Sequence, residues 1–575
     1  MTREVVQLVE LVQPYCANTF GASPCVAIGE KCFNTRATCR DHENFALQSG
    51  GLPLFFSRGN VADRGIDGVP YIIPSLVSVS TTPTRINLAA ANTSATGLGN
   101  RAVCTVTFRD HPHTDRVVDP YLSDRTYDPM TKGSFWSKWM VRNKYRYNML
   151  INVYEGYAGE TLAQMQKRTY FLTEASGPNE SGGVTLKGKD ILAKVEERKA
   201  NAPEASNGSL LSDITDTDTT FEVVGVTTAD YPASGTIRVN DELMTYSGTV
   251  DGDTGIVFAI TARGTDGTTA DEHDAEDAVQ ECVRYTDQTV DAIVTDLLTT
   301  WAGVDASYID TTSFTSEVNN YLESYILSTV LSEPVSVASL LSELQQQCGF
   351  YVWWDEKQAK ILFKAVRGVN SSPDVLTDGA NFIGDSFALY DLPRSRISQV
   401  WFYYDQRNPV DDEEKSVNFR QVQVQADLPS ESEEQFGEKS VRKIYSRWIS
   451  EGSLALSTTS KIIVRYRDVP RECKFRMDAK DRSYGVGDAI GISHFLDVDQ
   501  FGDRQVSTWT IISQKDVLPG EVVEFVAQDT TLYGVISVIQ ADSAPDYTAG
   551  DSRFLFWIGD ADGLLSDGTE CSRVT

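Results

Sequence analysis

The stretch Tyr147-Asn-Met-Leu-Ile-Asn-Val-Tyr154 is rich in β-branched and aromatic residues, and so is Thr105-Val-Thr-Phe-Arg109. Asp, Pro and Gly bound both stretches, a pattern typical of strands in a half-buried sheet. The same pattern predicts further strands in the last third of the chain, at Val400–Tyr404, Lys461–Tyr466, Trp509–Ser513 and Val522–Val526. We therefore predict a mainly β fold.

Helical spacing occurs in the middle of the chain. Apolar residues recur on one helix face across Val290–Trp301, and Gly303 is placed to end that helix. A second amphipathic stretch covers Val337–Cys348, where Ser336 can cap the N-terminus and Gly349 can end the helix. The predicted class is accordingly mainly β with some α, an α+β multidomain protein.

The length and composition allow several hydrophobic cores. The chain has 575 residues, 41% of them hydrophobic, so about three to five domains are expected. Changes in residue texture predict a cysteine-bearing N-terminal segment (1–60), a first β domain (61–204), an inserted small β module (205–285), an α/β middle domain (286–398), a second β domain (399–545) and a C-terminal tail (546–575).

The charge balance bears on possible partners. There are 51 basic and 81 acidic residues, which gives a formal net charge of -30. Such a charge repels phosphate backbones and argues against nucleic acid as the main partner. The first residues lack a basic region followed by an apolar core, and the sequence has no apolar run of membrane-spanning length. We expect neither export nor a membrane span.

Cysteines are concentrated near the N-terminus. Cys16, Cys25, Cys32 and Cys39 are separated by eight, six and six residues, whereas the other five are scattered over the rest of the chain. A tetrahedral metal ion or an iron-sulfur cluster needs four soft donors brought together by turns. The cluster of cysteines therefore predicts one four-thiolate site.

Three interpretations of these thiols compete. Disulfides are less favoured because nine cysteines is an odd number. In addition, so long a chain can form a sufficient hydrophobic core without covalent cross-links. Structural zinc usually has Cys-x-x-Cys pairs, which are missing here, although His42 is available as a ligand. Wider spacing suits the larger iron-sulfur cube. We favour iron-sulfur, with zinc and disulfides as open alternatives.

One short string has the composition of an enzyme site. Asp110-His-Pro-His-Thr-Asp115 holds two imidazoles and two carboxylates, enough in principle to ligate a metal. Few other histidines remain to complete such a site, so a hydrogen-bonded strand end and turn is the favoured interpretation. We expect no enzyme. The alternatives are a metal-dependent cell-wall hydrolase that uses His111, His113 and Asp115, or an iron-sulfur enzyme.

The order of residues around the cysteines resembles the N-terminal cysteine motif of tail-tip, or baseplate hub, proteins of long non-contractile-tailed bacteriophages. The segments that carry this resemblance are Tyr15-Cys-Ala-Asn-Thr-Phe-Gly21, Pro24-Cys25, Lys31-Cys-Phe-Asn-Thr35 and Thr38-Cys39-Arg-Asp41. Val106–Asp115 and Glu333–Asp355 resemble further parts of the same family. Together these similarities cover most of the chain, with 205–285 as an apparent insertion.

The resemblance implies a structural virion protein. Members of the family have β-barrel-like hub domains related to the hubs of contractile tails, and they form a ring, here expected to be a homotrimer, that closes the tail tube and opens for DNA ejection. The resemblance also implies an iron-sulfur cluster, [4Fe-4S] in type, on Cys16, Cys25, Cys32 and Cys39.

The family further implies neighbours and a location. The expected partners are the distal tail protein above, the tape measure protein within the tube, and a central fibre or receptor-binding tip protein below. The expected location is the distal end of the tail in the virion, after assembly in the host cytoplasm. DNA would pass through the lumen without specific binding, and an acidic wall would keep it from sticking.

Overall fold

The computed structural model describes residues 4–88, 98–367, 373–479 and 483–529, together with two short strands near the C-terminus. The predicted C-terminal tail (546–575) lies outside the described residues apart from those strands, Phe556–Trp557 and Arg573–Val574, which pair antiparallel. Strands account for 38% and helices for 19% of the chain, which confirms the mainly β prediction.

The first sheet has eight strands in the order β3-β2-β1-β6-β7-β8-β5-β4. Its strands are β1 (Val5–Gln13), β2 (Leu52–Phe56), β3 (Ile72–Ile73), β4 (Leu76–Thr82), β5 (Val103–Arg109), β6 (Leu150–Tyr157), β7 (Gln166–Ser176) and β8 (Gly183–Lys189). Two helices accompany them, α1 (Gly59–Arg64) and α2 (Phe135–Arg142). Helix α2 buries Phe135, Trp136 and Trp139 against the sheet, because its apolar residues share one face.

A closed barrel follows. After β9 (Asn201–Ala202), its strands are β10 (Gly208–Leu210), β11 (Thr220–Val224), β12 (Gly235–Val239), β13 (Glu242–Asp251), β14 (Gly255–Ala262) and β15 (Ala278–Thr289). Strand β10 pairs with both β11 and β15, so the sheet closes on itself and leaves no open edge within the barrel. Strand β15 continues beyond the barrel to pair with β16 (Ile326–Leu331).

The middle of the chain is helical, as predicted. Helix α3 (Val290–Asp296) continues into a π-helical turn (Leu297–Trp301), and α4 (Thr311–Tyr321) follows. After β17 (Val335–Ser336), which pairs with β9, helix α5 covers Val337–Cys348. Ser336 caps α5 by accepting from the N–H of Ser339, and Gly349 ends it with φ +74°. A hairpin of β18 (Phe350–Asp355) and β19 (Lys360–Ala365) packs against these helices.

Two further sheets complete the described chain. Their strands are β20 (Val375–Thr377), β21 (Ala388–Asp391), β22 (Gln399–Gln406), β23 (Phe419–Ala426), β24 (Val441–Tyr445), β25 (Arg471–Asp478), β26 (Ala489–Ser493), β27 (Ser507–Leu518) and β28 (Val522–Asp529). One sheet has the order β20-β26-β27-β28-β25-β21, and the other has the order β23-β22-β24. Helix α6 (Gly452–Tyr466) packs on β22 and β23.

Short 3₁₀ turns join many of these elements: Arg36–Thr38, Leu122–Asp124, Pro129–Thr131, Leu162–Gln164, Ile191–Glu196, Ala306–Tyr308, Pro393–Ser395, Ser416–Asn418 and Pro429–Glu431. Across the described ranges, no helix combines the length and the apolar character needed to cross a membrane.

The strand prediction at Lys461–Tyr466 is wrong, because these residues form the last part of α6. The run Ile462, Ile463, Val464 has the β-branched content of a strand. However, both Ile462 and Ile463 are buried, as expected for neighbours on a helix face and not for alternating strand positions. Packing against the β22–β23 sheet overrides the local preference.

A buried ionic cluster joins the first sheet to the six-stranded sheet that contains β27. The guanidinium of Arg168 on β7 lies 3.2 Å from Glu155 Oε2 on β6 and also contacts Asp516 on β27. All three side chains are at most 9% exposed. Close by, Glu356 in the β18–β19 turn accepts a hydrogen bond of 3.1 Å from Thr84 Oγ1. Widely separated parts of the chain therefore meet in one polar core.

Candidate functional site

The four clustered cysteines lie in the loop between β1 and β2, residues 14–51. Gln13 at the end of β1 pairs with Leu52 at the start of β2, so the two ends of the loop are adjacent in the sheet. Apart from the turn Arg36–Thr38 and an isolated bridge between Cys16 and Leu47, the loop has no regular structure. Its conformation is therefore held by local backbone hydrogen bonds and by side-chain contacts. We call it the cysteine loop.

The four thiols surround one space. Cys16, Cys25, Cys32 and Cys39 all line a recess of about 280 Å³, a volume that includes its part open to solvent. Cys16 is buried, the other three are half-buried, and all four are free thiols. Among the residues that the structure describes, no group of three or more His, Cys, Asp or Glu side chains stands close enough to hold one metal ion. The thiols thus share a recess but do not meet at a single point.

Asn34 ties the first part of the cysteine loop to the third cysteine. Its carbonyl accepts a hydrogen bond of 2.8 Å from the N–H of Cys16, and its Nδ2 donates to the Cys16 carbonyl at 3.2 Å. Its backbone has φ +52°, a conformation that Asn tolerates better than most residues. The Cys32 thiol lies 3.4 Å from Asn34 Oδ1. One residue therefore sets the relative positions of Cys16 and Cys32.

Asp41 has the same role for the other two cysteines. Its N–H donates to Cys39 Sγ at 3.4 Å, and its Oδ2 accepts from the N–H of Val26, next to Cys25, at 2.8 Å. The hydrogen bond from Val26 holds the pKa of Asp41 below its ordinary value. Asn44 Nδ2 also donates to this carboxylate at 3.1 Å. The ionised carboxylate fixes the distance between the segments of Cys25 and Cys39.

The thiols influence one another electrostatically. Burial raises the pKa of the Cys32 thiol, and the neighbouring Cys39, Cys16 and Cys25 add to that rise. Four thiolates packed together would repel each other unless a positive centre balanced them. The donor set and its electrostatics therefore suit a cationic group bound by sulfur.

Phe33 anchors the cysteine loop to the rest of the protein. Its ring contacts two guanidinium groups, at 4.2 Å from Arg125 and 3.8 Å from Arg142 measured to the ring centroid. Arg125 also donates to the carbonyls of Lys31 and Cys32, at 2.7 and 2.9 Å. Two cation–π contacts and two hydrogen bonds thus hold the backbone beside Cys32. We call this arrangement the Phe33 clamp.

The string Asp110–Asp115 supports the Phe33 clamp. Asp115 is buried with φ +60°, and its carboxylate lies 2.6 Å from Lys138 Nζ and 2.8 Å from Arg142 Nη2. This ion pair fixes Arg142, which in turn lies against Phe33. The expected strand end and turn is confirmed, since β5 ends at Arg109 and the string follows directly.

The histidines of this string do not meet as metal ligands. His113 Nδ1 accepts from the N–H of Asp115 at 3.0 Å, and burial together with the nearby His111 lowers the pKa of His113 to about 4. The His111 ring stacks on Phe135 with centroids 5.9 Å apart. Within the described ranges, His111, His113 and Asp115 form no metal-holding group. In this structure the three side chains are instead engaged in contacts with their neighbours.

Sequence reasoning did not find the Phe33 clamp or its supports. Lys138 and Arg142 lie one turn apart on α2, a spacing that places both on one face. The sequence therefore indicated that Lys138 and Arg142 share a helix face. It did not indicate their partner, Asp115, which lies more than 20 residues away in sequence. No local pattern connects Arg125 with Phe33.

A second polar centre lies inside the barrel. Glu242 is 1% exposed and accepts hydrogen bonds from Arg263, at 2.7 and 2.8 Å, and lies 2.9 Å from His273 Nε2. The N–H groups of Gly264 and Asp271 also donate to it. These contacts hold the 263–273 loop onto β13, so we assign the centre to the stability of the barrel.

No protein-family model matches this sequence, and no curated protein matches it. Solved structures that align with it include the prophage MuSo2 43 kDa tail protein from Shewanella oneidensis, at 9% identity over 79% of this chain and 98% of that chain, with a TM-score of 0.35. Prophage tail protein gp18 from Listeria monocytogenes EGD-e aligns at 9% identity over 79% and 88% of the two chains, with a TM-score of 0.31.

The tail protein from Neisseria meningitidis MC58 aligns at 8% identity over 80% of this chain and 98% of that chain, with a TM-score of 0.36. These TM-scores are too low to establish a shared fold. The roles of those proteins therefore do not transfer to this chain on that basis.

Proposed function

We propose that this protein is a structural hub of the tail tip of a long-tailed bacteriophage. The proposal starts from the resemblance of the segment Tyr15–Asp41 to the cysteine motif of such hubs. One observation carries it further: the four cysteines of that motif, although spread along a loop with little regular structure, line a single recess. A single space lined by all four thiols is what a four-thiolate site requires.

The recess is proposed to hold a [4Fe-4S] cluster through Cys16, Cys25, Cys32 and Cys39. The donor set fits, because such clusters bind four cysteine thiolates and their potential responds to hydrogen bonds on sulfur, like that from the N–H of Asp41 to Cys39. Zinc fits less well, since no three of the donors are grouped around one point. When bound, the cluster would act as a cross-link, because metal binding free energy becomes folding free energy.

A structural role is favoured over wall hydrolysis. Asp115, the carboxylate that a metal hydrolase would need, is buried and paired with Lys138 and Arg142. His113 uses Nδ1 to accept a backbone N–H. These side chains stabilise the cysteine loop, and that role leaves them unsuited to binding a catalytic metal.

The proposed hub is a homotrimeric ring that closes the tail tube at the distal end of the virion and opens for DNA ejection. Its proposed neighbours are the distal tail protein, the tape measure protein and a central fibre or receptor-binding tip protein, with assembly in the host cytoplasm. The net charge of -30 suits a lumen through which DNA passes without sticking.

The first experiment is anaerobic purification followed by iron, sulfide and zinc analysis and visible absorption. We expect a brown protein with about four iron and four sulfide per chain. Cys25→Ser should lose the colour, whereas Cys348→Ser, which alters a buried cysteine of α5, should keep it. A colourless protein with one zinc would contradict the cluster, and a metal-free protein would contradict any four-thiolate site.

The assembly is tested separately. Native mass spectrometry of the brown protein should show a trimer, and electron microscopy should show closed rings. A protein that stays monomeric both alone and with purified distal tail protein would contradict the hub, even if the cluster were present. The cluster and the hub assembly can therefore be contradicted independently of each other.

A further inference from the structure

A second recess lies far from the cysteine loop in sequence. It has a volume of about 390 Å³, including its part open to solvent, and forms between the end of the β18–β19 hairpin, the last turn of α6 and the β26–β27 pair. Three cationic side chains line it: Lys364, Arg367 and Arg465. A cluster of cations is unexpected in a protein of net charge -30. We call this recess the basic pocket.

Arg465 provides the main evidence for a ligand. Its Nε donates to the hydroxyl of Tyr466 at 3.1 Å, and that hydroxyl donates onward to the Leu88 carbonyl at 2.9 Å. Its Nη2 is buried yet has no hydrogen-bond partner among the described residues. A buried, charged donor without an acceptor is strongly unfavourable. Arg465 therefore brings to the wall of the basic pocket a guanidinium charge that its described hydrogen bonds balance only in part.

Lys364 has spare donor capacity as well. Its ammonium group donates to the carbonyl of Gly487 at 2.7 Å and can make two further hydrogen bonds. Burial lowers the pKa of Lys364, and the neighbouring Arg367 adds to that effect, while Asp488 and Glu317 oppose it. An anion bound at the Lys364 ammonium group would relieve its repulsion by Arg367.

Arg367 is held in place by its own contacts. Its Nε donates to Glu317 Oε1 at 3.0 Å, and its guanidinium lies 4.2 Å from the centroid of the Tyr321 ring. Asp488, the second carboxylate near the basic pocket, accepts the N–H of Gly485 at 2.8 Å. Three cations thus face two carboxylates, which leaves one positive charge unbalanced.

We propose that the basic pocket binds a phosphate group. Three cationic side chains from separate positions line it, an arrangement that suits the several acceptor oxygens of a tetrahedral oxyanion better than the two of a carboxylate. The group comes either from free phosphate or from the terminal phosphate of a nucleic acid end. The basic pocket and the cysteine recess have no lining residue in common.

The test is calorimetric titration of the full chain with inorganic phosphate, at ionic strength held constant with chloride. We expect saturable binding. Arg465→Gln should weaken it by about tenfold or more, since charge-assisted hydrogen bonds are the strong ones. Lys364→Gln keeps a donor for the Gly487 carbonyl and should weaken binding without unfolding the protein. Arg420→Gln and Lys187→Gln, which alter cations on the faces of other sheets, should bind phosphate as the wild type does.

A second titration identifies the source of the phosphate. A 5′-phosphorylated dinucleotide that binds more tightly than both free phosphate and its unphosphorylated form would assign a nucleic acid end, and equal or weaker binding would assign free phosphate. Absence of saturable binding by either probe would overturn the proposal. So would unchanged affinity in folded Arg465→Gln protein, or tighter binding of acetate than of phosphate.

Discussion

Phe33 shows how a single side chain can position a site that it does not join. Its ring contacts two guanidinium groups, and one of them also holds the Cys32 carbonyl. The spacing of the cysteines predicted that they act together, because four soft donors in one short segment have few other uses. The partners of Phe33 could not be predicted, since they lie 92 and 109 residues away and nothing local marks them.

Replacement of Phe33 tests the clamp. Phe33→Leu keeps an apolar side chain but removes both cation–π contacts, so we expect a loss of about 1 kcal/mol of stability and a lower iron content. Phe436→Leu is the matched control, because Phe436 lies outside the cysteine loop and has one arginine, Arg396, at 4.5 Å from its ring centroid. Calorimetric unfolding and iron analysis of both variants measure the effect. Equal behaviour of the two variants would show that the clamp does not position the loop.

At the scale of elements, α6 shows where sequence reasoning failed. Three β-branched residues in succession favour a strand, and the prediction followed them. The helix is visible only over a longer window, in which the buried residues Leu454, Ala455, Thr458, Thr459, Ile462 and Ile463 repeat at helical spacing. The helical spacing of apolar residues over the whole of α6 therefore outweighed the strand preference of three β-branched residues.

The helical conformation of α6 predicts that two neighbouring residues both contribute to stability, which a strand with one buried face would not. Ile462→Ala and Ile463→Ala should each destabilise the protein by about 2–4 kcal/mol, because both side chains are buried. Leu456→Ala should have less than about 0.5 kcal/mol of effect, because Leu456 is 49% exposed. Denaturant unfolding of the three variants provides the measurement. If one isoleucine had a large effect and its neighbour none, the helical assignment would fail.

The barrel should be removable as a unit. The N–H of Glu281 lies 2.9 Å from Ser206 Oγ, so residues 206 and 281 can be joined directly after deletion of 207–280. We expect the shortened chain to fold and keep its iron. Its unfolding temperature should fall by a few degrees, because Cys282, Val330 and Val410 lose their apolar contact with Leu243. Aggregation, or loss of iron, would mean that the barrel supports the rest of the fold.

At the scale of the molecule, the polar core makes stability depend on pH. Burial raises the pKa of Glu356 from 4.5 to about 7. Because the folded state holds the proton more tightly than the unfolded state, this carboxyl stabilises the protein below pH 4.5, and that contribution is lost as pH rises through 7. The total change corresponds to about 3 kcal/mol.

Glu356→Gln isolates this contribution. The amide can still accept from Thr84, and it cannot ionise. The variant should match the wild type at pH 4.5 and unfold at a higher temperature than the wild type at pH 8. Calorimetry at both pH values makes the comparison, with Glu323→Gln as a surface control. An equal difference between variant and wild type at the two pH values would contradict a titrating Glu356.

The contact between Arg168 and Asp516 also limits how early in synthesis the protein can complete its folding. The two residues are 348 positions apart, by subtraction of their numbers. At ribosomal speeds of about 5–20 residues per second, β7 is made roughly 20–70 s before its partner on β27 leaves the ribosome. During that interval Glu155 on β6 is already made, whereas Asp516 is not. The first sheet can therefore close against the sheet that contains β27 only after that strand has left the ribosome, and a chain truncated before β27 would leave Arg168 without Asp516.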